Sequence, residues 1–219
     1  MRIAILGSGN MGGTLGRLFA ATGHTVTFSY SRDSAKLERL ARTSGPRARA
    51  ASPADAVRDS DVLLLAVLWA QMPHVLRLAG DVRGKVLIDC SNPLTKSDDA
   101  LAVGHRVSGA ELVARRARGA LVVKAFNTVP VELLRAGVHV LPEQPAAWYC
   151  SDEARGKRVV ARLIRQIGFE PVDCGPLLSA RYLEPLAMIV GELAYNQGRR
   201  PEVGLRVLRP RRRRGTRKA

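Results

Sequence analysis

Residues 2–13 read RIAILGSGNMGG, and the fold follows from how this stretch is read. Arg2 to Leu6 is a short apolar run of the kind that forms a strand buried on both faces. Gly7, Ser8, Gly9, Asn10, Met11 and Gly12 then fit G-x-G-x-x-G without a gap. Leu15, Leu18 and Phe19 follow at helical spacing, Gly23 and His24 end that helix, and a second apolar run opens at Thr25. Strand, glycine turn, helix and strand in this order give the motif its structural context. Gly7 permits the tight turn, Gly9 lets a pyrophosphate approach the backbone, and Gly12 lets the helix pack close to the strand. The helix N-terminus offers unpaired N–H groups and a partial positive charge to the phosphates.

The end of the second apolar run selects the cofactor. A ribose 2′-hydroxyl is usually held there by Asp or Glu, about 20 residues past the glycines. Here Ser31 and Arg32 stand at that point, with Lys36 one helical turn on. A hydroxyl donor and two cations suit a phosphate, Arg through its bidentate fork. Asp33 is assigned to capping the helix that carries Lys36. The expected cofactor is therefore NADP(H) rather than NAD(H).

The 219 residues are 46% hydrophobic and 25% charged, which describes an ordinary globular chain. No apolar run reaches the roughly 18 residues of a membrane span, and no signal peptide is read at the start. Cys90, Cys150 and Cys174 lack metal or C-x-x-C spacing and sit in apolar runs, so reduced, buried thiols and a cytoplasmic location are expected. The net charge of +16 first suggests nucleic acid, but over half the excess lies in residues 199–219. Without interleaved aromatics or a helix-turn-helix, that tail is a screened, non-specific polycation expected to be disordered.

Along the chain, apolar strand-like runs recur at Arg47 to Ala51, Val62 to Val67, Lys85 to Cys90, Ala120 to Ala125, Ala146 to Cys150 and Glu170 to Cys174, alternating with helical patterns. Ser52 before Pro53 opens one helix, and Ser108 with Glu111 forms a capping box for another. Ala180 to Tyr195 reads as one long apolar helix whose broad stripe needs more than one partner surface: the crevice, and a second subunit. The fold class is α/β, a Rossmann-like doubly wound sheet with a small C-terminal helical part. Residues 1–175 are read as the dinucleotide-binding domain, 176–209 as the helical part and 210–219 as the basic tail.

With these motifs in order, the chain resembles the NADP-dependent deazaflavin coenzyme (F-420) reductases. The likeness covers roughly residues 1–209. It rests on the glycine turn, Ser31-Arg32, Ser91-Asn92-Pro93, Ser108 to Glu111, Val123 to Thr128, Asp173 to Pro176, and Arg181 to Leu186. It implies a nicotinamide in a cleft between the Rossmann part and the C-terminal part, a deazaflavin stacked on it, and a homodimer. Archaeal members typically carry His where this chain has Asn127. The Phe126-Asn127-Thr128 version also looks like the NADPH-binding domain of six-transmembrane metalloreductases, whose membrane part is not expected in these 219 residues.

The expected chemistry is hydride transfer between NADP(H) and a deazaflavin or flavin-like ring, a small-molecule acceptor. Dehydrogenation of an alcohol needs a positioned proton donor or acceptor. From Ala180 to Gln197 there is no Lys or His, and Lys124 lies inside a strand run. Ring-to-ring hydride passage needs mainly positioning and exclusion of water. The cofactor residues are read as Gly7, Ser8, Gly9, Asn10, Met11 and Gly12 for the pyrophosphate, and Ser31, Arg32 and Lys36 for the 2′-phosphate. Val67 and Trp69 line the path to the nicotinamide, which Ser91, Asn92 and Pro93 approach. Ala125, Phe126 and Asn127 form the floor where the rings meet, with Asn127 as the catalytic candidate and no metal site. Two other readings stay open: an NADPH-dependent imine or carbonyl reductase, and a non-catalytic NADP(H) sensor.

Overall fold

The protein's three-dimensional structure, a computed structural model, describes residues 1–31, 33–197, 200–208 and 210. Arg32 and the basic run 211–219, on which two of the expectations fall, lie outside the described residues.

Eight strands build one sheet in the order β3-β2-β1-β4-β5-β6-β7-β8. They are β1 (Arg2–Leu6), β2 (Thr25–Ser29), β3 (Ala48–Ala50), β4 (Val62–Leu65), β5 (Val86–Asp89), β6 (Leu121–Ala125), β7 (Ala146–Cys150) and β8 (Glu170–Asp173). The first six run parallel. β7 turns antiparallel to β6, and β8 runs parallel to β7. The order reverses between β1 and β4, which opens a crevice at the carboxyl ends of those strands.

Period-two alternation sorts the strand residues into two layers. Ile3, Ile5, Leu64 and Ile88 face one core, with Leu15 and Phe19 of α1 (Asn10–Ala21), Leu40 of α2 (Ser34–Thr43), and Val160, Leu163 and Ile164 of α7 (Ala154–Gln166). Ala4, Leu6, Leu63, Leu65 and Leu87 face the other. There they meet α3 (Pro53–Arg58), α4 (Met72–Ala79), α5 (Gly109–Arg116) and, through Ala180 and Leu183, α8 (Ala180–Gly191). The remaining helix, α6 (Val131–Ala136), sends Leu133 and Leu134 to the first core.

The helix starts are those the sequence signals. The Asp33 side chain accepts from the Lys36 N–H, Ser52 caps α3 with Pro53 in the first turn, and the Ser108–Glu111 capping box on α5 is complete. The C-terminal helix departs from the expected single run. α8 carries Pro185 inside it and passes after Gly191 into a π-helical turn, Glu192–Asn196. One extra residue per turn there re-aims the side chains, as π-turns do at functional sites.

Candidate functional site

The glycine turn joins β1 to α1 as its spacing requires. Gly7 has φ +108°, and a Cβ there would lie 2.4 Å from the Ala66 carbonyl oxygen. A Cβ on Gly12 would lie 1.9 Å from the Gly7 carbonyl oxygen, so the close approach of helix to turn needs glycine. Gly9 is different. Its φ of −78° suits any residue, and a Cβ there would meet nothing within 4 Å. Nothing in the chain's own packing asks for glycine at this position. A ligand lying against the backbone at the N-terminus of α1 does, so the residues present fit a dinucleotide pyrophosphate.

Two clefts meet at Asn10. The first, of about 260 Å³, is lined by Ser8, Gly9, Asn10 and four basic side chains, Arg17, Lys36, Arg39 and Arg135. The second, of about 430 Å³, lies between the glycine turn, the loops after β5 and β6, and α8; Asn10, Met11, Asn92, Asn127, Met188 and Tyr195 are among its walls. A cationic end and a more apolar, more enclosed end joined at the glycine turn match the two ends of a nicotinamide dinucleotide phosphate.

Beside the first cleft, neither Ser31 nor Asp33 is on the wall, and Asp33 is engaged within its own helix. One of its oxygens caps α2 and the other pairs with Arg39 at 3.4 Å. The backbone bond from Lys36, with Arg39 beside it, holds the carboxyl below its ordinary range. Ser31 accepts from the Asp33 N–H, which leaves its hydroxyl proton for another acceptor. The Arg135 guanidinium donates to Asn10 Oδ1 at 3.1 Å and so steadies the first residue of α1. Arg17, Arg39 and Arg135 come from three different helices, and no local motif marks them.

The second cleft is organised by two amides. Asn127 Nδ2 donates to Asn92 Oδ1 at 3.1 Å and to the Leu183 carbonyl at 3.0 Å. Both of its protons are thus used, and among the described residues Asn127 Oδ1 is a buried acceptor without a partner. A buried unpaired acceptor is costly, and a ligand N–H would relieve it. Among the described residues the ionisable groups on the walls of this cleft are Asp98, Asp99, Glu192 and Tyr195, with no Lys, Arg or His. Burial and the bond to Glu132 push the Tyr195 phenol up to about 12.

Several expected wall residues lie elsewhere. Phe126 does not face the crevice: its φ of 66° turns the chain so that the ring is wholly buried, 6.3 Å from Phe19 in an edge-on contact. Ala125 is equally buried in the first core. Of the expected floor, only Asn127 lines the cleft. Ser91 is turned inward, its hydroxyl donating to Asp89 at 2.6 Å, and Pro93 is buried, its ring lying where a Cβ on Gly109 would reach. Val67 and Trp69 are half-buried at the carboxyl end of β4, packed on the second core, and neither lines the two clefts. Tyr30, unmarked by any motif, has φ 60° and reaches across the crevice end to donate to Gln71 at 2.8 Å.

Lys124, inside its strand as the sequence places it, and Glu184 of α8 are at most 1% exposed and point at each other, 3.0 Å apart. Asp89 completes the group, 3.0 Å from Lys124. Burial opposes the Lys124 charge, but the two carboxylates outweigh it and its pKa is raised, so the amine stays protonated. None of the three lines either of the two clefts. Among the described residues no three His, Cys, Asp or Glu side chains converge to hold a metal, and no helix is long and apolar enough to cross a membrane.

A doubly wound sheet whose glycine turn leaves room for a pyrophosphate, with a basic cleft on one side and an amide-lined cleft on the other, defines a nicotinamide-dinucleotide oxidoreductase. The family model described as "NADP oxidoreductase coenzyme F420-dependent" matches residues 2–93. The chain is similar to the F420-dependent NADP reductase of Methanothermobacter thermautotrophicus, 31% identical over 209 residues covering 87% of this chain and 88% of that one. It is also similar to the metalloreductase STEAP3 of Rattus norvegicus, 31% identical over 187 residues, 85% of this chain and 36% of that protein. The chain therefore spans about a third of that relative's length. Among solved structures, an Arthrobacter sp. FB24 protein provisionally described as an F420-dependent NADP-reductase superimposes with TM-score 0.84 at 25% identity, covering 95% of this chain and 100% of that one. The chain belongs to the family of F420-dependent NADP oxidoreductases.

Proposed function

We propose that the protein transfers hydride between NADP(H) and a deazaflavin or flavin-like ring. The observation that carries this reading is the second cleft. It has room for planar groups, an unpaired amide acceptor and, among the described residues, no basic side chain on its walls to protonate a developing alkoxide. NADP(H), when bound, supplies or takes the hydride. The α1 N-terminus with Ser8, Gly9 and Asn10 binds the pyrophosphate, Gly7 and Gly12 shaping the turn. Ser31, Arg32, Lys36 and Arg39 hold the 2′-phosphate. Asn92 and Asn127 orient the ring end, and Met11 and α8 exclude water there. Ser91 and Pro93 act by fixing the loop that carries Asn92, and Ala125 and Phe126 by fixing the backbone that carries Asn127.

The outer face of α8 leaves Tyr182, Pro185 and Ile189 exposed, which supports pairing of two copies into a homodimer. The free thiols Cys90, Cys150 and Cys174 suit the reducing cytoplasm. A second reading, reduction of an imine, draws support from Asp98, Asp99 and Glu192, whose charge favours a cationic iminium over an anionic acceptor. The test mixes protein and NADPH with oxidised deazaflavin coenzyme, FMN, riboflavin or a cyclic imine and follows the nicotinamide and flavin absorbance. Loss of both bands together is the expected result. NADPH consumption with the imine alone favours the second reading, and binding without turnover of any acceptor refutes both in favour of a sensor.

A further inference from the structure

We propose that Lys124, Asp89 and Glu184 are positioning residues, a buried ionic hub that sets the Asn92–Asn127 amide pair and the α8 roof in register for hydride transfer. The inference rests on the hydride-transfer reading above. Four elements contribute. Lys124 Nζ, on β6, donates to Asp89 Oδ2 at the end of β5 and to the Ser91 carbonyl, and it lies 3.0 Å from Glu184 Oε1 on α8. The Glu184 carboxylate also accepts from the Gly109 and Ala110 N–H groups, at 2.8 and 3.0 Å, in the first turn of α5. The other Asp89 oxygen accepts from the Ser91 N–H at 3.0 Å and the Ser91 hydroxyl at 2.6 Å. The ammonium thus meets three acceptors, and both carboxylates are fully engaged. Two carboxylates against one ammonium leave a net negative charge, which the α5 N-terminus offsets.

The hub reaches the amide pair through its immediate neighbours. Ser91, held at its N–H, hydroxyl and carbonyl, precedes Asn92. Glu184 follows Leu183, whose carbonyl accepts from Asn127. Lys124 stands three residues before Asn127 on the same strand end. Every backbone segment that decides where the two amides sit is therefore anchored to one cluster. The cluster also decides which way Asn127 faces: with Leu183 and Asn92 fixed as acceptors, Nδ2 is committed and Oδ1 is left for a ligand.

Stability alone explains this arrangement poorly. Three buried charges carry a large desolvation cost, and apolar residues of similar volume often serve stability as well or better. A salt-bridged hub gives directional geometry instead, and hydride transfer depends steeply on that geometry. Since none of the three residues lines either of the two clefts, the effect runs through Asn92, Asn127 and α8.

Glu184→Gln tests the idea while preserving volume. Ser91→Ala is the milder companion, since it removes one hydrogen bond at the hub's edge and leaves all three charges paired. The readouts are the single-turnover hydride-transfer rate, the NADPH dissociation constant, and the facial selectivity of transfer from NADPH deuterated at one C4 position. Glu184→Gln is expected to slow transfer by about 10- to 100-fold. NADPH affinity, set at the glycine turn and the basic cleft, should stay within roughly threefold, and facial selectivity should fall. Ser91→Ala should shift rate and selectivity the same way to a smaller extent. Wild-type rate and selectivity in Ser91→Ala, or in folded Glu184→Gln, overturn the hub, as does a rate loss that saturating NADPH fully restores. An inert wild-type protein removes the hydride-transfer reading and the hub with it, whereas an active wild type with unaffected variants removes the hub alone.

Discussion

Replacing each glycine of the turn by alanine should separate a ligand requirement from a folding requirement. At Gly9 an added Cβ meets nothing within 4 Å and φ is −78°. The stability cost of Gly9→Ala in the free protein is the loss of a good N-cap residue, up to about 1 kcal/mol. A stiffer unfolded chain offsets that by about 0.4–1 kcal/mol. The melting curve without cofactor should therefore hardly move. Gly12→Ala instead places a methyl 1.9 Å from the Gly7 carbonyl oxygen, within the backbone of the turn itself. Overpacking of this kind costs about 1–3 kcal/mol, occasionally more. Gly7→Ala adds a disfavoured φ of +108° to a 2.4 Å contact with Ala66 and should be at least as damaging. NADPH binding should rank differently. The Gly9 methyl would stand where the pyrophosphate meets the α1 N–H groups, and losing one charge-assisted hydrogen bond there costs about 1.5–3 kcal/mol, or roughly 10- to 100-fold in affinity. Urea or thermal unfolding of the free proteins, beside calorimetric titration with NADPH, reads both quantities. A Gly9→Ala protein that binds NADPH like wild type, or that unfolds as early as Gly12→Ala, would refute the assignment of that position to the ligand.

Arg39→Ala should weaken NADPH by roughly 10-fold or more while NADH changes little, because the proposed 2′-phosphate position lies beside Lys36 and Arg39 and NADH carries no phosphate there; equal losses for both cofactors in a fluorescence titration would remove Arg39 from that role. Asn127→Leu should lower turnover more than NADPH affinity, and steady-state rates at saturating NADPH check this; unchanged turnover would show that Asn127 takes no part. Glu111 gives the stability a measurable acid limb. The Arg181 guanidinium is the main cause, and with Ser108 it lowers this carboxyl from its ordinary 4.5 to about 2 despite partial burial. Because the folded value is the lower one, this contribution is full above about pH 4.5 and is lost as pH falls through about 2; Glu111→Gln should flatten that part of the urea-midpoint profile against pH. An identical acid slope in Glu111→Gln would rule the pair out as its source.

The sequence by itself determined the elements and their chemistry wherever the cause is local. Gly7 and Gly12 report their turn because a positive φ at the first and a close backbone approach at the second admit no other residue. Asp33, Ser52 and Ser108 report helix starts because a cap acts on the N–H two or three residues on. Unbroken apolar runs in β1, β4 and β5 report burial on both faces because successive side chains point to opposite layers. What only the tertiary structure decided depends on residues distant in sequence. Nothing around Lys124 says that it meets Asp89 from the neighbouring strand and Glu184 from α8, separated from it by 35 and 60 residues, so a lysine that reads as a stray polar residue in an apolar strand is a satisfied buried cation. Phe126 looked like a ring platform from its place at a strand end, but a left-handed backbone turn sends it into the core. The basic cleft draws Arg17, Lys36, Arg39 and Arg135 from three helices, and Asn127 gains its orientation from Asn92 and the Leu183 carbonyl. Local sequence carries backbone conformation and capping, because those act within a turn of the chain; partners and side-chain direction at a site are set by packing between elements, and that information exists only once the sheet has closed against its helices.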